Sequence, residues 1–568
     1  MQRTFRAQIN YWFNHILVVL SALVVVETIV MYGFLLTVPV FVQSMTLAMR
    51  IIIYLMYLVF VVQKVLRTGW NLRAIFFDLV LALFIVGQVF SLNILSSIVA
   101  LRIVIAHVLS AFMKSWIGAY VSAVRLSPAR LLLLSFGTTI FIGTLLLMLP
   151  VATAVKEGAS FLDALFTATS ATCVTGLIVQ DTGSYFSGFG HTVILILMQT
   201  GGLGIMTFST LFAMILGRQI GLKHEEQLQG IMEQNSTTNL YRLVSQVVVI
   251  TLAFEVTGGL VLYMRLIPVM GSGHAVFPAV FHAVSAFCNA GFCLYPDSLT
   301  RFAGDITVNA VIMTLIVFGG LGFFVINELV QNIRQNKHGS LFSLLFSRLS
   351  VHSKLVLVTT ACLLFAGTLT VFFFEYDNTL LSLSTPGKLL AAMFQSVTLR
   401  TAGFNSIDIG SMRDVTLFIC IIFMFIGASP ASTGGGIKTT TFAVLLLSVR
   451  SLFLSREKVE VSARTIPPQT IYKSIAILLF SSTFLIVFCV LLLVTQEGSF
   501  IDILFEAVSA LGTVGLSTGV TGHLDGTGKF LISLLMYFGR VGPLTIAFAL
   551  GEVKKVKAEF PTTHISVG

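Results

Sequence analysis

The sequence predicts an all-α integral membrane protein, and three observations support this: its composition, the length of its apolar runs and a motif that occurs four times. Of the 568 residues, 56% are hydrophobic and only 10% are charged, whereas soluble domains carry about 25% charged residues. A water-soluble core cannot bury so much apolar surface. We therefore expect most of the chain to lie in a lipid bilayer.

The long apolar runs have the length of transmembrane helices. About 20 apolar residues in a helix cross the ~30 Å hydrocarbon core of a bilayer, and such runs occur at Leu131–Leu149, Val193–Gly217, Leu243–Leu266 and Ser474–Val494. The first apolar run, at 16–42, is too long for a signal-peptide core of about 7–15 residues. We expect it to remain in the protein as a transmembrane helix.

The basic residues indicate how the chain is oriented. The formal net charge is +10, but the lysines and arginines stand mostly in short loops at the ends of the apolar runs. This distribution is typical of the cytoplasmic loops of membrane proteins. The sequence therefore predicts that both termini are cytoplasmic and that nucleic acid is not a partner. The six cysteines show no metal-binding spacing.

A short motif occurs four times in the chain. Each copy begins with phenylalanine, continues through small and hydroxyl residues and ends with glycine. The copies are Phe166–Gly176, Phe281–Gly291, Phe394–Gly403 and Phe505–Gly515. The glycines are separated by 115, 112 and 112 residues, a regularity that indicates an internal repeat. The third copy is one residue shorter than the others, which leaves its local alignment open.

The surroundings of each copy predict a pore unit. A long apolar run is followed by a segment of about 12 residues, the glycine and a second apolar run, and 12 residues are too few to cross a bilayer. We interpret the segment as a re-entrant half-helix, whose following loop is tolerated at membrane depth where it lines a water-filled cavity. The predicted fold is four parallel helix–pore-loop–helix repeats around a central pore, plus about four N-terminal transmembrane helices.

These boundaries divide the chain into six predicted parts. They are an N-terminal transmembrane extension at 1–130, pore repeats at 131–225, 240–338, 350–458 and 470–557, and a cytoplasmic tail at 558–568. The extension is expected to cross the membrane near 16–42, 46–63, 75–92 and 94–113.

The four glycines are suited to binding a monovalent cation. Rings of backbone carbonyls replace the hydration shell of such an ion when four loops converge. Glycine permits the positive φ or crowded backbone that such loops need, and the negative C-terminal ends of the half-helices favour a cation. We predict backbone-carbonyl sites at Gly176, Gly291, Gly403 and Gly515. Close helix packing is the alternative use of any single glycine.

The sequences around these glycines resemble a known family. Four stretches look like the selectivity-filter stretches of the Trk/Ktr/HKT potassium-transporter superfamily: Thr172–Leu177, Phe287–Phe292, Arg400–Asn405 and Thr513–Ser517. The resemblance covers roughly residues 131–557. It is closest to the Ktr-type pore-forming membrane subunit, because Asp181–Phe186 and Gln199–Gly204 also look like that group.

The resemblance implies potassium uptake across the plasma membrane through an ion-selectivity filter. The implied filter residues are Thr172, Cys173, Val174, Thr175, Gly176, Cys288, Asn289, Ala290, Gly291, Arg400, Thr401, Ala402, Gly403, Thr513, Val514 and Gly515. Glycine at all four filter positions implies K⁺ as the transported ion, and Na⁺ as a coupling or activating ion stays open. The resemblance also implies a homodimer in membrane lipid and a cytoplasmic nucleotide-binding regulatory subunit. Such a subunit would be a separate chain, since this one lacks a GxGxxG motif after a strand.

A polar, glycine-rich stretch at 427–438 interrupts the second apolar run of the third repeat. It is too rich in Gly, Ser and Pro for an uninterrupted helix, so we expect a flexible loop at membrane depth. It does not match a phosphate-binding loop, because Ile437 separates glycine from lysine. In the resembled family the corresponding loop gates the pore. The gate residues implied are Gly427, Ser432, Thr433, Gly434, Gly435, Gly436, Lys438 and Arg540.

Two arginines in apolar surroundings are candidate functional residues. Arg540 interrupts the last apolar run, and a cation at a helix centre costs roughly 2.5–3.5 kcal/mol on insertion scales, so we expect it to face the protein interior. It is either an electrostatic barrier below the filter, which the resemblance favours, or a packing residue satisfied by carbonyls. Arg400 would repel a cation, and the resemblance implies that it anchors the filter loop.

Three other functions stay open from the sequence. A Na⁺ or mixed Na⁺/K⁺ pathway predicts a relaxed filter. The ion-binding subunit of an ATP-driven pump predicts co-purification with an ATPase subunit. An intramembrane enzyme is disfavoured, because Glu255 and Glu328 stand alone and no HExxH-type motif is present.

Overall fold

The computed structural model describes residues 23, 25–35, 128–215, 240–335, 349–462, 464–542 and 545–546. Three of the predicted N-terminal crossings (46–63, 75–92 and 94–113) and the predicted tail (558–568) lie outside these ranges, and the crossing near 16–42 lies partly outside them. The described ranges are helical apart from loops and one antiparallel pair of strands, β1 (Glu460–Val461) and β2 (Arg464–Thr465).

The longer helices of the described ranges are numbered in chain order. They are α1 (Pro128–Leu147), α2 (Phe161–Thr172), α3 (Gly188–Ile215), α4 (Leu240–Met270), α5 (Ser272–Phe287), α6 (Ile306–Leu321), α7 (Phe323–Gln335), α8 (Val351–Phe374), α9 (Thr385–Thr398), α10 (Asp414–Phe425), α11 (Thr439–Phe453), α12 (Pro468–Thr495), α13 (Phe500–Gly512) and α14 (Gly526–Val541). Single-turn helices lie at Pro150–Ala152, Thr182–Tyr185, Thr300–Phe302 and Val520–His523, and a π-helix at Ile29–Gly33.

Several helices have the length and composition of membrane spans. Within the described residues, Ser245–Met270 of α4, all of α8 and all of α12 are long and apolar enough to cross a bilayer. Helices α6 and α7 form a further candidate that is bent by 102°. The chain is thus an α-helical membrane protein.

Four short helices, α2, α5, α9 and α13, each lead into one of the motif glycines. They contain 12, 16, 14 and 13 residues, and at about 1.5 Å per residue they are too short to cross ~30 Å of hydrocarbon. Serine N-caps begin two of them: Ser160 accepts from the Asp163 N–H, and Ser499 accepts from the Asp502 N–H. The phenylalanine of each motif copy is no more than 1% exposed, so it anchors the short helix in the core.

The long helices that follow the motif are all interrupted. Gly204 lies within α3 with φ 74°, Gly322 separates α6 from α7 with φ 90°, and Gly542 follows α14 with φ 86°. In the third copy residues 427–438 separate α10 from α11. The sequence predicted this last interruption, whereas it did not predict the kink at Gly204 within the apolar run Val193–Gly217. Glycine adopts positive φ without a Cβ penalty, so one glycine suffices to break each of the other helices.

The first and last motif copies are neighbours in space. The Nζ atom of Lys529, in the first turn of α14, lies 2.6 Å from Oδ1 of Asp163 in α2. Gln180 donates to the other carboxylate oxygen of Asp163 at 3.4 Å. Both charged side chains are largely buried, with 20% and 11% exposed. This ion pair links two helices that are more than 350 residues apart in sequence.

A buried carboxylate connects the ends of α8 and α10. Glu375 accepts from the Thr416 hydroxyl at 2.5 Å and from the Arg413 N–H at 3.1 Å. Burial acts to raise the pKa of Glu375, but these bonds, with others from Asn378 and Thr379, outweigh it and hold the pKa below its ordinary value. The ionised side chain therefore fixes the helices on either side of α9.

Candidate functional site

The four motif glycines lie next to one another in a closed ring, which we call the glycine ring. A Cβ atom added at Gly176 would lie 2.9 Å from the Cα atom of Gly291, and one at Gly291 would lie 2.9 Å from the Cα atom of Gly403. One at Gly403 would lie 3.2 Å from the Cα atom of Gly515, and one at Gly515 would lie 3.0 Å from the Cα atom of Gly176. There is no room for a side chain at these positions.

Backbone carbonyl oxygens surround the glycine ring. A Cβ atom added at Gly176 would lie 2.6 Å from the Ala290 oxygen. One added at Gly291 would lie 2.9 Å from the Ala402 oxygen, and one added at Gly403 would lie 2.8 Å from the Val514 oxygen. The Thr175 oxygen lies against Gly515 in the same way. Each copy therefore presents the carbonyl before its own glycine to the glycine of a neighbouring copy.

The backbone conformation is the same in all four copies. The glycine and the residue two positions before it have positive φ, whereas the residue between them does not. The pairs are Val174 and Gly176 (56° and 94°), Asn289 and Gly291 (58° and 71°), Thr401 and Gly403 (62° and 77°), and Thr513 and Gly515 (50° and 93°). The sequence predicted positive φ at the glycines but missed the earlier position, because Val and Thr rarely adopt it.

A hydroxyl side chain in each short helix fixes the glycine loop. Ser170 donates to the Leu177 carbonyl at 2.7 Å and accepts from the Gly176 N–H at 3.1 Å. In the other copies Ser285 donates to Phe292 O at 2.8 Å, Thr398 donates to Phe404 O at 2.8 Å, and Ser509 accepts from the Gly515 N–H at 3.1 Å. In the third copy the residue that is missing lies between the hydroxyl and the glycine, so the short helix itself is aligned with the others.

The long helices approach these loops closely through glycines that the sequence analysis did not single out. Gly201 of α3 lies against the Thr172 carbonyl, Gly319 of α6 against the Phe287 carbonyl, and Gly539 of α14 against that of Leu511. A Cβ atom at any of them would collide with the carbonyl group at the end of a short helix. Gly-Gly pairs such as Gly201–Gly202 within an apolar run were the signal that could have revealed them.

The electrostatics of the ring favour a cation. The C-terminal ends of α2, α5, α9 and α13, which carry partial negative charge, lie next to it. In the described part of the chain no group of three or more His, Cys, Asp or Glu residues could hold a metal ion. The oxygens that contact the ring glycines are backbone carbonyls, and rings of carbonyls suit a weakly bound monovalent cation.

Residues 427–438 fold back on themselves beside the ring. The Gly427 N–H donates to the Ile437 carbonyl at 2.9 Å and closes the two ends of the loop. The Ser429 N–H donates to the Gly320 carbonyl at 3.0 Å, and the Thr433 N–H donates to the Gly319 carbonyl at 3.2 Å. The loop is therefore docked on the break between α6 and α7.

The tip of the loop reaches the second motif copy. The Thr433 hydroxyl donates to the Phe287 carbonyl at 3.2 Å. It also lies 3.3 Å from the side-chain amide of Asn289, which is fully buried.

The next two loop residues meet the third and fourth copies. Gly434 lies so close to Thr401 that a Cβ atom would overlap the Thr401 hydroxyl. A Cβ atom at Gly435 would lie 3.0 Å from Cγ2 of Thr513 and closer still to its Oγ1. Three consecutive loop residues thus contact three different motif copies.

Two cations hold the loop by its carbonyl groups. Arg540, in the last turn of α14, donates to the carbonyls of Thr433 and Gly201. Lys438 donates to the Gly434 carbonyl at 2.8 Å. Arg540 is thus hydrogen-bonded to backbone carbonyls and also lies beside the loop.

Arg400 lies between the third glycine loop and the start of loop 427–438. It is 7% exposed, and its Nη2 donates to the Gly427 carbonyl at 3.3 Å. The remaining predicted filter residues are fully buried near the ring: Thr172, Cys173, Thr175, Cys288, Ala290, Ala402 and Val514. Of the other predicted gate residues, Ser432 donates to the Ser429 carbonyl at 2.7 Å, and Gly436 has φ 67°.

The fold and the site define an α-helical membrane protein with a carbonyl-lined ring at the centre of four buried loops. The family model of the TrkH cation transport proteins matches residues 132–555. The chain therefore belongs to the TrkH family, whose members are cation transporters and not enzymes.

Individual relatives agree with this assignment. The Ktr system potassium uptake protein B of Bacillus subtilis is 42% identical over 447 residues, which are 78% of this chain and 98% of that protein. The potassium/sodium uptake protein NtpJ of Enterococcus hirae is 35% identical over 453 residues, 78% of this chain and 98% of that protein. The crystal structure of the potassium transporter TrkH from Vibrio parahaemolyticus has a TM-score of 0.60 at 16% identity, covering 88% of this chain and 97% of that one, and so shares the fold.

Proposed function

We propose that this chain takes up K⁺ across the plasma membrane through a channel-like pore whose selectivity filter is the glycine ring. The observation that carries the proposal is the set of carbonyl oxygens, from Thr175, Ala290, Ala402 and Val514, that meet at the ring. Four converging loops can replace the hydration shell of K⁺ without charged ligands, which would hold the ion too tightly for conduction.

In this proposal the four motif copies are parallel repeats around one pathway. The close approach of Gly176, Gly291, Gly403 and Gly515 supports it, as does the ion pair between Lys529 and Asp163. The domain boundaries are those predicted from the sequence, with an N-terminal transmembrane extension at 1–130 and both termini in the cytoplasm.

Residues 427–438, with Arg540, act as the gate. The loop contacts three of the four motif copies on one side, and carbonyl groups of the loop are held by Arg540 and Lys438. Since hydrogen bonds from Ser429, Thr433 and Arg540 join the loop to α6 and α14, the loop can withdraw when these bonds break, and the helices stay folded. While the loop is in its closed position, Arg540 would also place a positive charge beside the pathway and so form a barrier to cations.

The names of two relatives support the choice of transported ion and of a separate regulatory chain. Those from Bacillus subtilis and Enterococcus hirae are named for the uptake of potassium and of potassium/sodium, respectively. We assign K⁺ as the main ion, and Na⁺ as a coupling, activating or second transported ion is the alternative. A name that refers to protein B of a Ktr system supports a separate regulatory chain, which we take to be cytoplasmic and nucleotide-binding. We also propose a homodimer.

The test is cation flux into proteoliposomes that contain the purified chain, with ATP absent. Uptake of K⁺ and Rb⁺ well above that of Na⁺ is the expected result. Na⁺ uptake equal to K⁺ uptake would indicate a mixed-cation pathway instead of a K⁺-selective one. Flux that appears only with a partner and only while that partner hydrolyses ATP, so that a non-hydrolysable ATP analogue cannot replace it, would show that the chain is a pump subunit instead.

A further inference from the structure

A second polar position recurs in the four short helices, directly after the motif phenylalanine. Its side chains are no more than 3% exposed, and the residues are Thr167, His282, Gln395 and Glu506. The hydroxyl residue that fixes each glycine loop follows three positions later, so the two side chains lie on the same face of the helix. Burial of a carboxylate or an imidazole is costly unless the group is hydrogen-bonded. The contacts of Glu506 and His282 therefore indicate what this position does.

Glu506 holds the chain that follows the fourth ring glycine. Its Oε1 accepts from the Ser517 hydroxyl at 2.5 Å and from the Thr518 N–H at 3.0 Å. Its Oε2 accepts from the Thr521 hydroxyl. Ser509, on the same face of α13, accepts from the N–H of the ring glycine. The loop is thus fixed from one helix face both at the ring glycine and directly after it.

His282 makes the equivalent contact in the second copy. Its Nε2 accepts from the Leu294 N–H at 3.2 Å. Its Nδ1 lies 2.7 Å from the Pro278 carbonyl oxygen, which can only accept, so Nδ1 carries the proton and Nε2 is the acceptor. Leu294 and Thr518 each lie three residues after their ring glycine. A neutral imidazole and a carboxylate therefore bind the same backbone N–H in two copies, and what they share is a buried acceptor.

We propose that Glu506 is a positioning residue for the selectivity filter, whose carboxylate holds residues 517–521 and thereby fixes the carbonyl groups around Gly515. His282 has the same role around Gly291. Both act through the backbone of the loop and not as ligands of the ion. The inference rests on the proposed function. Discrimination by a carbonyl ring depends on how its oxygens are placed around the ion, and that placement needs support from surrounding residues.

The test measures K⁺ and Na⁺ uptake by proteoliposomes that contain variants of the full chain. Glu506→Ala removes all three bonds, and the ratio of K⁺ to Na⁺ uptake is expected to fall about tenfold, because one hydrogen bond to a charged group contributes at least about that factor. Glu506→Gln keeps an oxygen for Ser517 and Thr518 and places its amide beside Thr521, whose hydroxyl can also accept. Its ratio is expected to stay within about threefold of that of the unmodified chain.

Glu375→Ala is the matched control. Glu375 is also a fully buried carboxylate with several hydrogen bonds, but its donors include Thr416 and Arg413 at the start of α10, not a glycine loop. Both alanine variants should lower the temperature of thermal unfolding in detergent. Only Glu506→Ala should change the uptake ratio, since a residue that merely stabilises the fold does not affect selectivity.

Two outcomes would overturn the proposal. A ratio in Glu506→Ala equal to that in Glu375→Ala would show that these bonds do not position the filter. A ratio in Glu506→Gln as low as that in Glu506→Ala would show that the charge acts and not the acceptor. If Glu506→Ala does not fold, Ser517→Ala removes one of the same bonds and decides, with an expected fall of about threefold.

The unmodified chain separates this proposal from the proposed function. If it takes up K⁺ selectively while Glu506→Ala matches its control, the positioning role fails and the proposed function stands. Uptake without K⁺ selectivity in the unmodified chain would instead refute the proposed function itself.

Discussion

Replacement of Gly176 by serine is expected to reduce the discrimination of K⁺ over Na⁺ by at least about tenfold, the effect of a change of ~1.4 kcal/mol at the filter. A Cβ atom at this position would lie 2.6 Å from the Ala290 carbonyl oxygen and 2.9 Å from the Cα atom of Gly291. Both are backbone atoms, so the second loop must move and its carbonyl must turn away from the ion. The measurement is the ratio of K⁺ to Na⁺ uptake by proteoliposomes.

The matched control is Gly137→Ser. Gly137 lies in α1, and an added Cβ atom would meet nothing within 4 Å. This variant should keep the selectivity of the unmodified chain. If Gly176→Ser is as selective as the control, Gly176 is not part of the filter.

The second large effect is expected from Arg540→Ala. This change removes the two hydrogen bonds that Arg540 donates to Thr433 and Gly201, and bonds from a charged donor contribute about 1.5–3 kcal/mol each. The loop should then leave its closed position more often. We expect basal K⁺ uptake without any regulatory chain to rise by at least about tenfold, which corresponds to the loss of one such bond.

Arg265→Ala is the control for this change. Arg265 lies in α4, its side chain is 45% exposed, and it pairs with Asp305 at 2.7 Å. Its loss should leave uptake unchanged. Unchanged uptake in Arg540→Ala would show that these two hydrogen bonds do not hold a gate.

The helical membrane fold could be predicted because it depends on composition and run length. The low share of charged residues leaves no soluble alternative, and the repeat of Phe166–Gly176 along the chain marks four equivalent loops. The breaks at Gly204, Gly322 and Gly542 could not be predicted with the same method. One glycine hardly changes the mean hydropathy of an apolar run of about 20 residues, although that glycine is enough to interrupt the helix.

The site could be predicted only in part, for a different reason. The glycines of the ring stand out, because glycine at a fixed position in four copies has a clear physical use. The positive φ of Val174, Thr401 and Thr513 does not follow from their residue types, since it is imposed by the surrounding loops. The contacts of Thr433 and Gly435 with other copies depend on how distant segments pack. No local pattern carries that information.

The role of the glycine ring as the filter is tested most directly by locating Rb⁺ in crystals of the protein through its anomalous scattering. If the glycine ring is the filter, a peak is expected inside the ring of Gly176, Gly291, Gly403 and Gly515, within coordination distance of the carbonyl oxygens that precede them. Anomalous density only outside this ring, in crystals of a protein that transports Rb⁺, would contradict it and place the selective site elsewhere.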